Sequence, residues 1–225
     1  MADMPSIYII GAQCTGKTTL VEAVSQHIRR QQTYLSFAII KELARGILVA
    51  ADVNRDDIRT GSEKAMGFQK RVLEAQLDEE QKLQSQGFII SDRSGIDPIA
   101  YAKLYGPPRV TKEMLGTSAW AALRKTMRQG VVILCEPVPR WLSDDGVRLM
   151  PQDTREWFEL HQAFIDLLRL SDIGFVLLPA TCNSIEERVA FVLEKWGNRV
   201  RHTASLRSSC QRLWDLAPAT TASLV

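Results

Sequence analysis

Eight residues near the amino terminus, Gly11-Ala12-Gln13-Cys14-Thr15-Gly16-Lys17-Thr18, follow the pattern G-x-x-x-x-G-K-[ST]. Glycines at those places let a backbone wrap around phosphates and present its N–H groups to them. Lys17 reaches the terminal phosphates, and the Thr18 hydroxyl offers a ligand to Mg²⁺. A helix beginning near Gly16 aims the positive end of its dipole at the same anion. Gly11, Gln13, Cys14, Thr15, Gly16, Lys17, Thr18 and Thr19 are therefore the expected contacts of a nucleoside triphosphate. Cys14 has the plainer reading of a filler at a small-residue position.

Other polar residues cluster at the ends of apolar runs. Asp92 closes Phe88-Ile89-Ile90-Ser91, where a carboxylate faces the phosphate loop and holds Mg²⁺ directly or through water. Arg93 follows and is suited to clamp a transferring phosphate. The competing reading is a strand-end cap beside a solvated arginine. Glu42 follows Leu35–Ile40 and is placed to accept a proton from a substrate hydroxyl, or else it is an acid favoured by a helix start. Arg140, Arg148 and Arg155 sit among Asp144, Asp145 and Asp153 in a proline-rich stretch. That stretch reads as a lid closing over phosphates, or as a mixed-charge loop held by its own ion pairs. Gln69 either reads a base edge or is an exposed helical glutamine. Asp97 and Tyr101 share a helix face and touch substrate, or they are a cap and a core residue. His161, on an apolar stripe, reads as a packed side chain.

The elements that must position these residues alternate regularly. Apolar runs at 7–10, 35–40, 88–90, 131–135 and 175–178 read as strands, most of them short enough to be buried in a parallel sheet. Helical periodicity covers 18–30, 62–86, 97–104, 112–128, 155–170 and 184–196, with Ser184 and Glu187 spaced as a capping box. Alternation of this kind predicts an α/β fold, a parallel five-stranded sheet with helices on both faces and right-handed connections. Ligands on such sheets bind beyond the carboxyl ends of the strands. Gly11–Thr18, Glu42, Asp92-Arg93 and Glu136 all fall at that edge, which predicts one site.

The bulk numbers narrow the function classes. A length of 225 residues suits one core. A net charge of +2 argues against nucleic acid as a partner. The four cysteines are scattered, without C-x-x-C spacing, which argues against a disulfide framework or structural zinc. With no apolar run long enough to span a bilayer and no signal-like start, a cytoplasmic protein without membrane partners is expected. The domain is expected over 1–200, with a lid at about 137–155 and a flexible or loosely helical tail over 201–225.

The set Gly11–Leu20, Lys41-Glu42-Leu43-Ala44-Arg45, Ser91-Asp92-Arg93-Ser94-Gly95-Ile96-Asp97-Pro98-Ile99-Ala100-Tyr101 and Asp144-Asp145-Gly146-Val147-Arg148 resembles the NadR-like branch of P-loop proteins. That branch holds ribosylnicotinamide kinase domains and chains described as AAA-type ATPase domains. Its wider kin are the nucleoside and nucleotide kinases. The resemblance covers 5 to about 197. It implies an adenylate-kinase-like three-layer sandwich, a glutamate serving the acceptor hydroxyl (Glu42), an Asp-Arg pair (Asp92, Arg93) and an arginine lid (Arg148). Arg45 matches the Glu-x-x-Arg pattern. The chain is expected to depart from ribosylnicotinamide kinases in carrying no adjoining adenylyltransferase domain, and it lacks the tyrosine often found after this glutamate.

These observations converge on a kinase that moves the γ-phosphoryl group of ATP, with Mg²⁺, to a hydroxyl of a nucleoside-like small molecule. Lys17, Glu42, Asp92, Arg93 and Arg148 are its expected catalytic residues. Glu42, Arg45, Gln69, Arg93, Asp97 and Tyr101 are its expected acceptor contacts, and Thr18 and Asp92 its metal ligands. The alternative is an ATP- or GTP-hydrolysing switch acting through a protein partner.

Overall fold

In the computed structural model, which describes residues 4–50, 53–143 and 149–215 (206–215 as backbone alone), the five apolar runs are the five strands. They are β1 (Ile7–Ile10), β2 (Phe37–Ile40), β3 (Phe88–Asp92), β4 (Val131–Cys135) and β5 (Phe175–Leu178). All neighbours pair in parallel, in the order β2-β3-β1-β4-β5. β1 is central, and Ile9 lies opposite Asp92 on one side and Ile133 on the other. This register brings the turn after β1 and the end of β3 to the same edge.

Residues alternate between the two faces of the sheet, so each strand feeds two cores. Tyr8, Ile10, Val132 and Leu134 pack with α3 (Glu63–Leu83), α4 (Ile96–Tyr105), α5 (Pro108–Leu115), α6 (Ser118–Gln129) and α7 (Thr154–Leu170). Ile7, Ile9, Val131, Ile133 and Cys135 pack with α1 (Lys17–Gln31) and α8 (Ile185–Asp215). Emptying one such position, Leu20 or Leu123 to Ala, costs about 2–5 kcal/mol through lost transfer energy and the cavity left behind. A third, smaller cluster of Val53, Ile58, Phe68, Val72 and Leu149 lies beside the ligand edge.

The helices differ from the sequence reading in three places. The stretch 112–128 is two helices, because the Thr117 hydroxyl accepts from Trp120 N at 3.1 Å and restarts the chain as α6. Between β2 and α3 lie a short helix α2 (Ala44–Ala50) and a 3-10 turn, Arg55–Thr60, neither anticipated. The last helix continues past Trp196 to Asp215, since Gly197 and Asn198 do not stop it. Its start carries the expected capping box: Glu187 N donates to Ser184 Oγ and Ser184 N to Glu187 Oε2, both at 3.1 Å. No helix among the described residues is long and apolar enough to cross a membrane.

One polar cluster crosses the larger core. Glu80 on α3 accepts from Tyr8 and Thr126 hydroxyls, each at 3.1 Å, and from Gln76, which also donates to Ser91 Oγ at 3.2 Å. Burial raises the Glu80 carboxyl above its ordinary range against the pull of these donors.

Candidate active site

The loop between β1 and α1 is shaped by two glycines and one strained residue. Gly11 has φ 136 and a Cβ there would meet Cys135 O at 2.8 Å. Gly16 has φ 73 and caps α1. Cys14 holds φ 56 between them, with its thiol 3.3 Å from Ser143 O. The loop therefore runs close under the edge of β4, and side chains at either glycine are strained whatever the space. Trp157 on α7 fixes it from the side, donating from Nε1 to Gln13 O at 3.0 Å.

Lys17 is 6% exposed, and its Nζ lies 2.5 Å from Ala12 O and 3.3 Å from Thr15 Oγ1. Burial, and then the field of Arg93, lowers its ammonium to about 8. Thr18 and Thr19 are exposed in the first turn of α1. Thr18 Oγ1 donates to Asp92 Oδ2 at 2.5 Å, joining the helix start to the end of β3. The other oxygen of Asp92 is buried without a hydrogen-bond partner. A hydroxyl, a carboxylate oxygen with a free lone pair and an adjacent phosphate loop are the hard oxygen donors that Mg²⁺ prefers. Among the described residues no cluster of three or more His, Cys, Asp or Glu would hold a metal by itself. These residues thus fit an ion that is also held by phosphate oxygens.

Beside the loop a second group of charges forms around Arg93. Its backbone sits at φ 83, costing a non-glycine residue about 1–3 kcal/mol, and its N–H donates to Ile9 O at 3.0 Å. The guanidinium gives Glu42 Oε1 two contacts, Nε at 2.8 Å and Nη2 at 2.7 Å, and reaches Asp97 Oδ1 from Nη1 at 3.3 Å. Arg45 Nε bonds the other Glu42 oxygen at 3.1 Å. Burial pushes the Glu42 carboxyl up, but Arg93, Lys17 and Arg45 outweigh it and hold it at about 2. Asp97 goes the other way. Burial raises it to about 6, although Arg93, Lys17 and two Ser94 donors oppose the rise.

Glu42, Arg93 and Asp97 line one pocket. Its polar wall continues with Gln13, Arg45, Gln69 and Tyr101, and its apolar wall is Ala44, Leu48, Ile58, Phe68, Val72, Pro98 and Leu149. Gln69 is 3% exposed, so it is an inward-facing pocket residue and not a solvated helical glutamine. Tyr101 OH donates to Gln13 Oε1 at 3.3 Å, and Gln13 Nε2 is buried without a partner. Asp97 is both cap and pocket residue, accepting from Ser94 N at 2.8 Å while facing Arg93. The Leu149 side is anchored by Arg59, which bonds Met150 O at 2.6 Å and Glu156 Oε1 at 3.1 Å.

The expected lid is described only in part. Arg140 donates to Asn183 Oδ1, and Arg155 pairs with Glu159 at 3.7 Å on the first turn of α7. Arg148 lies outside the described residues. Glu136 is not a pocket residue: its Oε2 accepts from Ala180 N at 2.9 Å and ties the ends of β4 and β5. His161 is buried on α7, as its apolar stripe implied. Sequence reasoning missed Arg188, whose Nη2 donates to Thr15 O at 2.8 Å. It also missed Trp141, against which Gly16 packs.

A family model described as AAA domain matches residues 6–188. No curated protein matches the chain. Among solved structures the chain is similar to a NadR protein in complex with NR, at 22% identity and TM-score 0.64, over 87% of this chain and 52% of that one. A NadR protein in complex with NAD and AMP-PNP is similar at 20% identity and TM-score 0.61, over 87% and 50%. A deoxyadenosine kinase from M. mycoides with bound dATP is similar at 15% identity and TM-score 0.56, over 86% and 99%. The chain spans about half the length of the NadR structures. At these identities the likeness is one of fold: the sheet and its two helical layers are shared with the NadR and deoxyadenosine kinase structures.

Proposed function

Since the chain belongs to the AAA domain family over residues 6–188, we propose that it is an ATP-dependent kinase transferring the γ-phosphoryl group to a hydroxyl of a nucleoside-like acceptor. The observation that carries this reading is Glu42. A carboxylate held at about 2 lines a half-apolar pocket that also contains Arg93 and opens beside the phosphate loop. Such a pocket beside the phosphate loop gives an acceptor a place to bind, which a hydrolysing switch does not need.

In this reading the backbone of Gly11–Thr19 holds the triphosphate, and Lys17 supplies charge at its terminal phosphates. Thr18 and Asp92 would hold Mg²⁺, which when bound neutralises charge on the phosphate oxygens. Glu42 accepts a hydrogen bond from the acceptor hydroxyl and aims its oxygen at the phosphorus. So acidic a carboxylate is a weak base, which suits a loose phosphoryl-transfer transition state needing little help with the proton until late. Arg93, positioned by Glu42 and Asp97, stabilises charge on the transferring group, and Arg148 is assigned the same task from the lid. Gln69, Arg45, Asp97 and Tyr101 contact polar groups of the acceptor, while Phe68 and Leu48 cover its ring face.

A panel of nucleosides, ribosylated vitamins and related alcohols, incubated with ATP and Mg²⁺ and read by mass spectrometry, tests the proposal. One or more singly phosphorylated products, absent with Lys17→Ala, are expected. Nucleotide hydrolysis with no phosphorylated acceptor across the panel overturns it in favour of a hydrolysing switch.

A further inference from the structure

Arg188 has no part in the scheme above, yet it is one of the few buried charges among the described residues. It lies one turn into α8 and is only 4% exposed. Its Nη2 donates to Thr15 O, a carbonyl of the phosphate loop, at 2.8 Å. Its Nε is buried without a hydrogen-bond partner. No carboxylate among the described residues lies within ion-pair distance of it. Its guanidinium lies 4.8 Å from the centre of the Trp141 ring, and both groups press on Gly16: a Cβ there would meet Arg188 Nη1 at 3.2 Å and Trp141 Cζ3 at 3.3 Å.

A buried cation without a carboxylate is costly unless something anionic compensates it. The oxygen it holds is on the peptide whose N–H belongs to Gly16, the residue that caps α1. Pulling on the carbonyl of that peptide polarises its N–H on the opposite side, because hydrogen bonds in a chain strengthen one another. We propose that Arg188 is a positioning residue for the phosphate loop: it fixes and polarises the Thr15–Gly16 peptide so that the Gly16 N–H meets the bound phosphates. The Trp141 ring shields the guanidinium from water. This rests on the nucleotide-binding reading above. It explains why an arginine far along the sequence is buried at a loop whose own lysine already provides charge.

The test is calorimetric titration of ATP with Mg²⁺ into wild type, Arg188→Ala and Arg188→Lys, with circular dichroism to verify the fold. Arg188→Ala is expected to weaken ATP binding roughly tenfold, because the phosphate loop is then no longer held ready for the phosphates and must be ordered on binding. Arg188→Lys, which keeps charge but loses the planar fork, is expected to fall between the two and keeps the test sound if the alanine variant does not fold. Trp141 supplies a second readout. Tryptophan emission of wild type minus that of Trp141→Phe should change on ATP addition, and that change should vanish in Arg188→Ala. Folded variants with wild-type affinity and an unaltered Trp141 response overturn the proposal while leaving the nucleotide reading intact. Wild type that binds no nucleotide overturns both.

Discussion

Glu42→Gln preserves the size of the side chain and removes its charge, so it separates the roles of this residue. The drop of its carboxyl from 4.5 to about 2 corresponds to roughly 3 kcal/mol favouring the charged form in the fold. The side chain is 12% exposed, so solvent screening takes little from that figure. Arg93 keeps Asp97 at 3.3 Å when Glu42 is neutral, which returns part of the loss. A destabilisation of about 1–3 kcal/mol at pH 7 is expected, or roughly 2–4 °C in Tm for each kcal/mol. Because the folded value is depressed, this stability is present above the unfolded value of 4.5 and lost as pH falls toward about 2. Melting curves of wild type and variant should therefore converge on acidification. Phosphoryl transfer to the best acceptor should fall on the order of 10², the lower end for a positioned base, since this carboxylate is so acidic. ATP affinity should stay within a few-fold. Product formation by mass spectrometry, ATP calorimetry and thermal melts from pH 3 to 7 check these outcomes. Full transfer activity in Glu42→Gln refutes the assignment, and a stability gap that does not close at low pH refutes the electrostatics.

Lys17 titrates near 8 before any phosphate arrives, so ATP affinity should fall as pH rises through 8. Lys17→Ala should bind weakly throughout and lose that dependence, as calorimetry from pH 7 to 9 would register. Asp92→Asn should raise the Mg²⁺ concentration for half-maximal rate several-fold; an unchanged requirement moves Asp92 to a structural role. Asp97, raised from 3.8 to about 6, contributes stability below its unfolded value that is lost as pH rises through 6. Asp97→Asn should flatten the wild-type decline in Tm between pH 4 and 7, and parallel profiles count against the raised value.

Much of the fold was legible because strand and helix periods differ and the strands are buried on both faces. The runs around Ile7–Ile10 and Val131–Cys135 admit little else. The helix α2 escaped because it is only seven residues long, too short for its Ala44, Ile47, Leu48 stripe to stand out as a period, while the Thr117 break depends on a cap inside a helical pattern. At the site, the phosphate loop was plain because its glycines serve the backbone. Gln69 looked solvated because a helical sequence does not say which polar residue faces a cavity. Arg188 was hidden for a similar reason: beside Glu186 and Glu187 on an outer helix it reads as a surface charge, and only the closeness of α8 to the loop after β1 reveals otherwise.

The Arg59 anchor and the pocket wall have a consequence for how such a protein diversifies. Most of the wall, from Glu42 through Ala44, Leu48, Ile58, Phe68 and Gln69 to Val72, is drawn from one interval of the chain between β2 and the middle of α3. The phosphate machinery resides in the turn after β1 and at the end of β3, which that interval does not include. Changes at Leu48, Ile58 or Gln69 thus alter what fits without moving Lys17, Thr18 or Asp92. The shape of the pocket and the phosphate loop are set by separate stretches of the chain. Within that interval Glu42 and Arg59 are the fixed points, the first bound to Arg93 and the second gripping Met150 and Glu156, and the apolar residues between them are free to vary.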